Sequence, residues 1–316
     1  MNLSSSPGVP ASTRNAHTPR KKVIDYLDAQ LHYILIAPVI IILFGLVIYP
    51  FIYNLILSVH HVSLLNIRGG EWPFIGFENF TDTLTDSFAQ RAFFRTLLFA
   101  GLTVVIQLVL GMAAALAFNV NFKGKNFLMP MALAPMMITP VAVGLFWRML
   151  LNSEWGVINY FLSLVGIPAQ LWLADPVLAF LSLVIVQVWW GVSFVFLVLL
   201  GGLSSLPREP FEAAYIDGAS RWQAFRYLTL PMLRPVIVVV ATIRIIDAFR
   251  EFDIIYTLTG GGPGDATRVF SMELFVTAFE TGNFGLGAAQ ALILTAIIVI
   301  FTSGLFKNLT QTDQAS

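Results

Sequence analysis

The chain has 316 residues, of which 57% are hydrophobic and only 11% charged. Soluble domains carry about 25% charged residues, so this deficit places the chain in a bilayer. Its net charge is zero, which argues against a nucleic-acid partner, and it has no cysteine, which excludes disulfides and thiolate metal sites.

Residues 1–30 are a different material. They are rich in Ser, Pro and Ala, carry Arg20, Lys21 and Lys22 near their end, and read as a disordered tail. A signal peptide does not fit, because the apolar run that follows is too long and no small-residue cleavage site closes it. A bilayer core takes about 20 apolar residues in a helix. Six segments qualify, approximately Leu31–Val59, Thr96–Phe118, Phe127–Leu151, Val177–Leu200, Val236–Leu258 and Phe284–Phe306. Each is apolar all round, without the polar stripe of a soluble surface helix. The chain therefore reads as an all-α integral membrane protein with a membrane domain over 31–307 and a short tail over 308–316. No internal sequence repeat of the kind seen in many secondary transporters is visible.

Within this frame the polar residues are few. His60-His61 is an adjacent pair without metal-ligand spacing. In the second span, Gly111 with Ala114 and Ala115 allows close helix packing. The third span carries Pro130, Pro135 and Pro140. Proline removes an amide donor and clashes with the preceding turn, so a kinked helix is expected there, serving bundle packing or a cavity. The fourth span holds Gln187, Trp189 and Trp190, and the sixth holds Gln290 and Thr295.

A polar island, 203–235, separates the fourth and fifth spans. Pro207 and Pro210 flank two charges, and Pro210 can open a new helix. Gly218 stands where a left-handed helix terminus is expected. Ser220 and Gln223 have capping-box spacing, so a second helix starts there. The expectation is helix, Gly turn, helix, with Glu212 and Asp217 offering carboxylates and Ala213 and Ala214 a narrow face.

The fifth span is unusual in carrying Arg244, Asp247, Arg250, Glu251 and Asp253. Charges in a span cost at least ~2.5 kcal/mol each on insertion scales, so they pair or face a cavity. On a continuous helix Arg244, Asp247 and Glu251 share a face and can form an ion-pair ladder. Two readings stay open: pairs that hold this helix in the bundle, or carboxylates that line a substrate site with Gln187, with Trp190 as an aromatic platform. Thr139 and Gln290 are further candidates for that site. The run Gly260–Gly264, with Pro263 inside it, reads as a turn. No P-loop is present: Gly124-Lys125 is followed by Asn126, and no Gly stands five residues earlier.

Lys and Arg in the connections set the orientation. With the N-terminus in the cytoplasm, that side holds eleven: Arg14, Arg20, Lys21, Lys22, Lys123, Lys125, Arg208, Arg221, Arg226, Arg234 and Lys307. The far side holds four: Arg68, Arg91, Arg95 and Arg268. Both termini and the polar island are thus expected in the cytoplasm.

The island resembles the EAA loop of binding-protein-dependent ABC importers. In that pattern Glu-Ala-Ala is followed by three residues, Gly, nine residues, an aliphatic, one residue and Leu-Pro. Glu212, Ala213, Ala214, Gly218, Leu228, Leu230 and Pro231 fall in register, Leu228 standing where Ile is commoner. Further stretches resemble carbohydrate-type permeases of the maltose and glycerol-phosphate kind. They are 248–263 with Thr267, Trp147-Arg148 with Gly156 and Asn159, Tyr49-Pro50, and Gly76–Phe80; together they cover 30–307. The resemblance implies a six-helix type I ABC importer transmembrane domain in the bacterial inner membrane. It implies that Glu212, Ala213, Ala214, Asp217, Gly218, Ala219, Leu230 and Pro231 couple the chain to an ATPase; with the carbohydrate class it suggests, the span residues singled out on physical grounds, Asp247, Arg250, Glu251, Asp253, Gln187, Trp190, Thr139 and Gln290, become candidates to contact a sugar or polyol. It also implies a second related permease, two ATPase subunits holding ATP and Mg, and an extracytoplasmic substrate-binding protein. The chain itself needs no cofactor and does no covalent chemistry on this reading. The rival reading is an ion-coupled secondary transporter using the fifth-span carboxylates, which leaves the EAA pattern unexplained. An integral-membrane enzyme needs clustered catalytic groups, and the four histidines do not cluster.

Overall fold

The computed structural model describes residues 33 and 35–313, with side chains up to 304. The expected N-terminal tail and the last residues of the C-terminal tail lie outside the described residues. The chain divides into two units, Met1–Asn54 and Leu55–Ser316. The first contains most of helix α1 (Leu35–Ser58), an apolar helix with a π turn at Phe44–Ile48.

In the second unit the helices are α2 (Glu78–Thr85), α3 (Ser87–Phe118), α4 (Lys125–Leu133), α5 (Pro140–Leu150), α6 (Val157–Leu164), α7 (Pro176–Ser204), α8 (Glu209–Ile216), α9 (Arg221–Arg250), α10 (Asp253–Leu258), α11 (Phe270–Phe275) and α12 (Phe284–Asp313). The described residues contain no strand, only two isolated bridges, His60 to Phe74 and Ser63 to Asn283. Among the described residues, five helices are long and apolar enough to cross a membrane. The bent pair α4–α5, whose axes meet at 101°, makes a sixth when the two helices count as one broken span. The three prolines act differently here. Pro130 sits inside α4, Pro135 falls in a 3-10 turn over Ala134–Met137, and Pro140 opens α5. The expected kink is a full break, because a 3-10 turn and two proline starts leave no continuous i to i−4 ladder.

The long helices start where acidic caps satisfy their orphan amides. Asp86 accepts from the Ala89 amide at α3, and Asp175 accepts from Val177 and Leu178 at α7, with Pro176 in its first turn. α3 and α7 pack closely along their length. A Cβ on Gly111 would fall 2.6 Å from the Val195 side chain, so the small face expected around Gly111 is where α7 approaches. Phe99, Leu183, Val186, Phe249, Ile254 and Leu258 fill one core, and Ala115, Val195, Phe196, Leu199, Leu233 and Val240 a second nearer the polar island.

The fifth helix is shorter than its apolar run suggests. α9 stops at Arg250, Glu251 is extended, and α10 restarts at Asp253. Glu251 Oε1 accepts from the Ile254 amide at 3.1 Å and so caps α10. α10 then packs on α5 so closely that a Cβ on Gly144 would collide with Thr257 Oγ1. Beyond it, Gly260 and Gly261 take positive φ in the turn expected from their sequence. Two asparagines tie down the neighbouring connections. Asn79 donates to the Ser58 and His60 carbonyls, and Asn159 bonds Ser153, Gln170 and the Trp172 indole.

Candidate functional site

The polar island forms the expected hairpin. α8 begins with Pro210 in its first turn. Gly218 has φ +83°, and the amides of Gly218 and Ala219 return to the carbonyls of Tyr215 and Ala214. Ser220 then caps α9 with a complete capping box: the Gln223 amide donates to Ser220 Oγ at 3.3 Å, and the Ser220 amide donates to Gln223 Oε1 at 2.7 Å. The second arm is not a separate helix. It runs through a π turn over Phe225–Thr229 into the fifth span, with Leu230 and Pro231 immediately beyond. The hairpin is therefore continuous with α9. Ala213, Tyr215, Ile216 and Asp217 are exposed, while Ala214 and Ala219 are half-buried. Glu212 is exposed and lines, with Arg208, Phe211 and Tyr215, a cavity of about 1030 Å³ behind α8.

A second polar cluster is buried among α3, α7 and α9. Arg244 is 4% exposed. Its Nη1 lies 3.1 Å from Asp247 Oδ2, and its Nε donates to Gln107 Oε1 at 2.9 Å. Gln107 Nε2 in turn donates to the Gln187 carbonyl at 2.8 Å. The Arg244 guanidinium also lies 5.5 Å from the Trp190 ring centre. Asp247 turns its other side outward, with its side chain 43% exposed. The Gln187 amide is fully buried beside the Glu251 carboxylate without an aligned hydrogen bond of its own.

Other candidates fall elsewhere. Glu251 leaves the Arg244–Asp247 face because the helix ends before it, so the three-residue ladder reduces to one ion pair and a cap. Trp190 spends its indole N–H on the Ile138 carbonyl at the break between α4 and α5, at 3.0 Å. Thr139 is exposed and stands at the N-cap of α5 without making a cap bond. Gln290 is buried on α12 with its Oε1 unpartnered. Arg250 and Asp253 are exposed on either side of the α9–α10 break. Sequence reasoning missed Gln107 and Gly191. Gln107 carried a signal, a lone amide in mid-span. Gly191 carried none: it is needed because a Cβ there would collide with Gln107 Nε2 and Arg244 Nη2. Between α9 and α12, Arg268 pairs with Asp265 at 3.0 Å and stands 2.7 Å from Glu273 Oε2 in a charge contact without hydrogen-bond alignment. Burial pushes the Glu273 carboxyl up, against the pull of Arg268.

Residues 107–312 match the family model described as binding-protein-dependent transport system inner membrane component. The chain is 35% identical over 280 residues to the trehalose/maltose transport system permease protein of Thermococcus litoralis, covering 88% of this chain and 93% of that one. It is 32% identical to the sulfoquinovosyl glycerol transport system permease protein of Agrobacterium fabrum, covering 89% and 90% of the two chains. It is 30% identical to the sn-glycerol-3-phosphate transport system permease protein of the same organism, covering 88% and 94%. Among solved structures, a bacterial ABC transporter that imports alginate shares the fold at a TM-score of 0.77 and 23% identity, over 92% of this chain and 99% of that one. A related structure holds the alginate transporter in complex with its alginate pentasaccharide-bound periplasmic protein.

Proposed function

The chain belongs to the family of binding-protein-dependent transport system inner membrane components, and from that premise we propose what it carries and how it is driven. As a family member it is the non-enzymatic, multi-pass permease subunit of an ABC importer; the ATPase is a separate subunit, and a substrate-binding protein supplies the cargo. The cargo in this reading is a sugar or a related polyol. Sugar and sugar-glycerol systems among its relatives support this, as does a buried hydrogen-bonding cluster of the kind hydroxyls need. Asp247, whose side chain stays 43% exposed, is the group that substrate would meet, with the buried Gln187 amide a further candidate, and Arg244 holds Asp247 in place. Arg250 and Asp253 stand at the entrance to that cluster, with Trp190, Thr139 and Gln290 as secondary candidates.

In the proposed complex a second related permease completes the pathway, and two ATPase subunits bind ATP and Mg. The hairpin seats on one of them through Glu212, Ala213, Ala214, Asp217, Gly218, Ala219, Leu230 and Pro231. Both termini lie in the cytoplasm. The observation that carries this reading is the geometry of the hairpin: an exposed short helix joined by a left-handed glycine to the start of a membrane span. Closure of the ATPase dimer moves α8, and α9 carries the motion to Arg244 and Asp247. Glu212→Ala tests it. The variant complex is expected to insert normally but lose coupling, since an interfacial charge pair that loses one partner costs about 2–5 kcal/mol. Substrate-stimulated ATP hydrolysis and uptake at wild-type levels would sink the role assigned to Glu212.

A further inference from the structure

Five aromatic rings form a continuous row beyond the buried cluster, across the ends of α9 and α12 opposite the hairpin. Phe252 follows Glu251 directly and stacks on Tyr256 at 5.2 Å between ring centres, with planes 22° apart. Phe275 meets Phe252 at 4.7 Å and Tyr256 at 5.6 Å. Phe279 continues the row at 5.4 Å from Phe275, and Phe284 ends it at 6.3 Å. Two of its rings are exposed, Tyr256 at 46% and Phe279 at 67%, while Phe252, Phe275 and Phe284 are half-buried and Phe252 also packs on the core.

The charges beside the rings decide what the face is for. Arg250, Asp253 and Glu280 are all exposed, and none of these side chains makes a hydrogen bond or ion pair among the described residues. Asp253 shares a face of α10 with Tyr256 by i, i+3 spacing, and Glu280 follows Phe279 in the sequence at the end of the same helical turn. A lipid-facing surface does not carry unpaired ionised groups, whose cost in hydrocarbon is prohibitive without pairing or water. The buried centre of a protein interface is depleted of charges as well. Exposed rings with free carboxylates and a guanidinium on the same helix ends match instead a molecule with one apolar C–H face and a rim of hydroxyls. A pyranose ring is such a molecule.

We propose that Phe252, Tyr256, Phe275 and Phe279 form a carbohydrate platform, an outer contact site on which a pyranose stacks while Asp253, Arg250 and Glu280 bond its hydroxyls, ahead of the Arg244–Asp247 cluster. The assignment rests on the carbohydrate reading above and adds a second binding site to it. Continuity supports it, since the row begins one residue from Glu251, which lies beside Gln187 in the buried cluster.

The test is uptake of radiolabelled trehalose, maltose and sn-glycerol 3-phosphate by the complete complex in proteoliposomes, with its binding protein. Wild type is expected to take up a disaccharide. Tyr256→Ala and Phe279→Ala are expected to raise the KM for it about tenfold, the loss of one ring contact, with ATP hydrolysis retained. Tyr256→Phe and Phe279→Trp, which keep a ring, are expected to restore it. Alanine variants with unchanged KM would overturn the platform. So would variants that no longer co-purify with the partner permease, because the row would then be a subunit interface. A wild-type complex that takes up glycerol phosphate and no sugar would defeat the carbohydrate reading itself, and the platform with it, before any variant is measured.

Discussion

Arg244 is the residue on which the middle of the bundle depends. A guanidinium buried to 4% exposure inside a membrane domain survives only because Asp247 neutralises it and Gln107 accepts its Nε–H. Gly191 makes room for that arrangement. Gly191→Ala is therefore expected to destabilise the complex by about 1–3 kcal/mol, the usual cost of overpacking, and a lower thermal unfolding midpoint measures it. Asp247→Asn separates two roles. If Asp247 contacts substrate, the variant assembles and hydrolyses ATP but loses uptake; if it serves only to neutralise Arg244, stability and assembly fall together. We expect the first, because the Asp247 side chain stays 43% exposed while it pairs with Arg244. Thermal stability and uptake on one purified preparation decide it. At this scale the sequence exposed the charged residues but not their neighbours. Arg244 and Asp247 were legible from i, i+3 spacing, whereas Gln107 stands 137 positions from Arg244 and only the fold brings them together.

Among the elements, the hairpin was the most legible and the fifth span the least. Proline, glycine and the Ser220–Gln223 box are local signals that act through backbone geometry, so the turn appears where they place it. Gly218 at φ +83° has open space around its Cα, so conformation and not crowding selects glycine. Gly218→Val should impair coupled uptake more than Gly218→Ala, because a β-branched residue is strongly disfavoured at positive φ. Equal transport by the two variants would show that the turn tolerates rearrangement. The end of α9 was hidden because apolar residues resume beyond the charged stretch 244–253 and carry on to Leu258, so one span covers both helices. Helix α10 is equally apolar, and the break comes from Glu251 turning its carboxylate onto the Ile254 amide. Hydropathy does not see a cap made by a charged side chain at the edge of a span. The break in the third span was legible in kind, from its prolines, but its 101° depends on the 3-10 turn and on Trp190 and Ser193 bonding the Ile138 and Ala132 carbonyls.

For the whole molecule, force in the proposed mechanism enters through one hairpin and the cargo passes a cluster at the far end of the same helix. Its orientation rests on eleven Lys and Arg on one side against four on the other. A cysteine introduced at Ser5 is expected to resist an impermeant thiol reagent in intact spheroplasts and to react after lysis; labelling in the intact cells would reverse the topology and put the hairpin on the wrong side. The central claim is that ATP, spent by another subunit, drives this chain. The measurement that addresses it most directly is uptake of labelled disaccharide into proteoliposomes holding the complete complex, with binding protein supplied on the opposite face from ATP and with ionophores that collapse proton and sodium gradients. The account predicts uptake that requires ATP on the hairpin side and is indifferent to the ionophores. Uptake without ATP that follows an imposed ion gradient would contradict it and return the fifth-span carboxylates to an ion-coupling role.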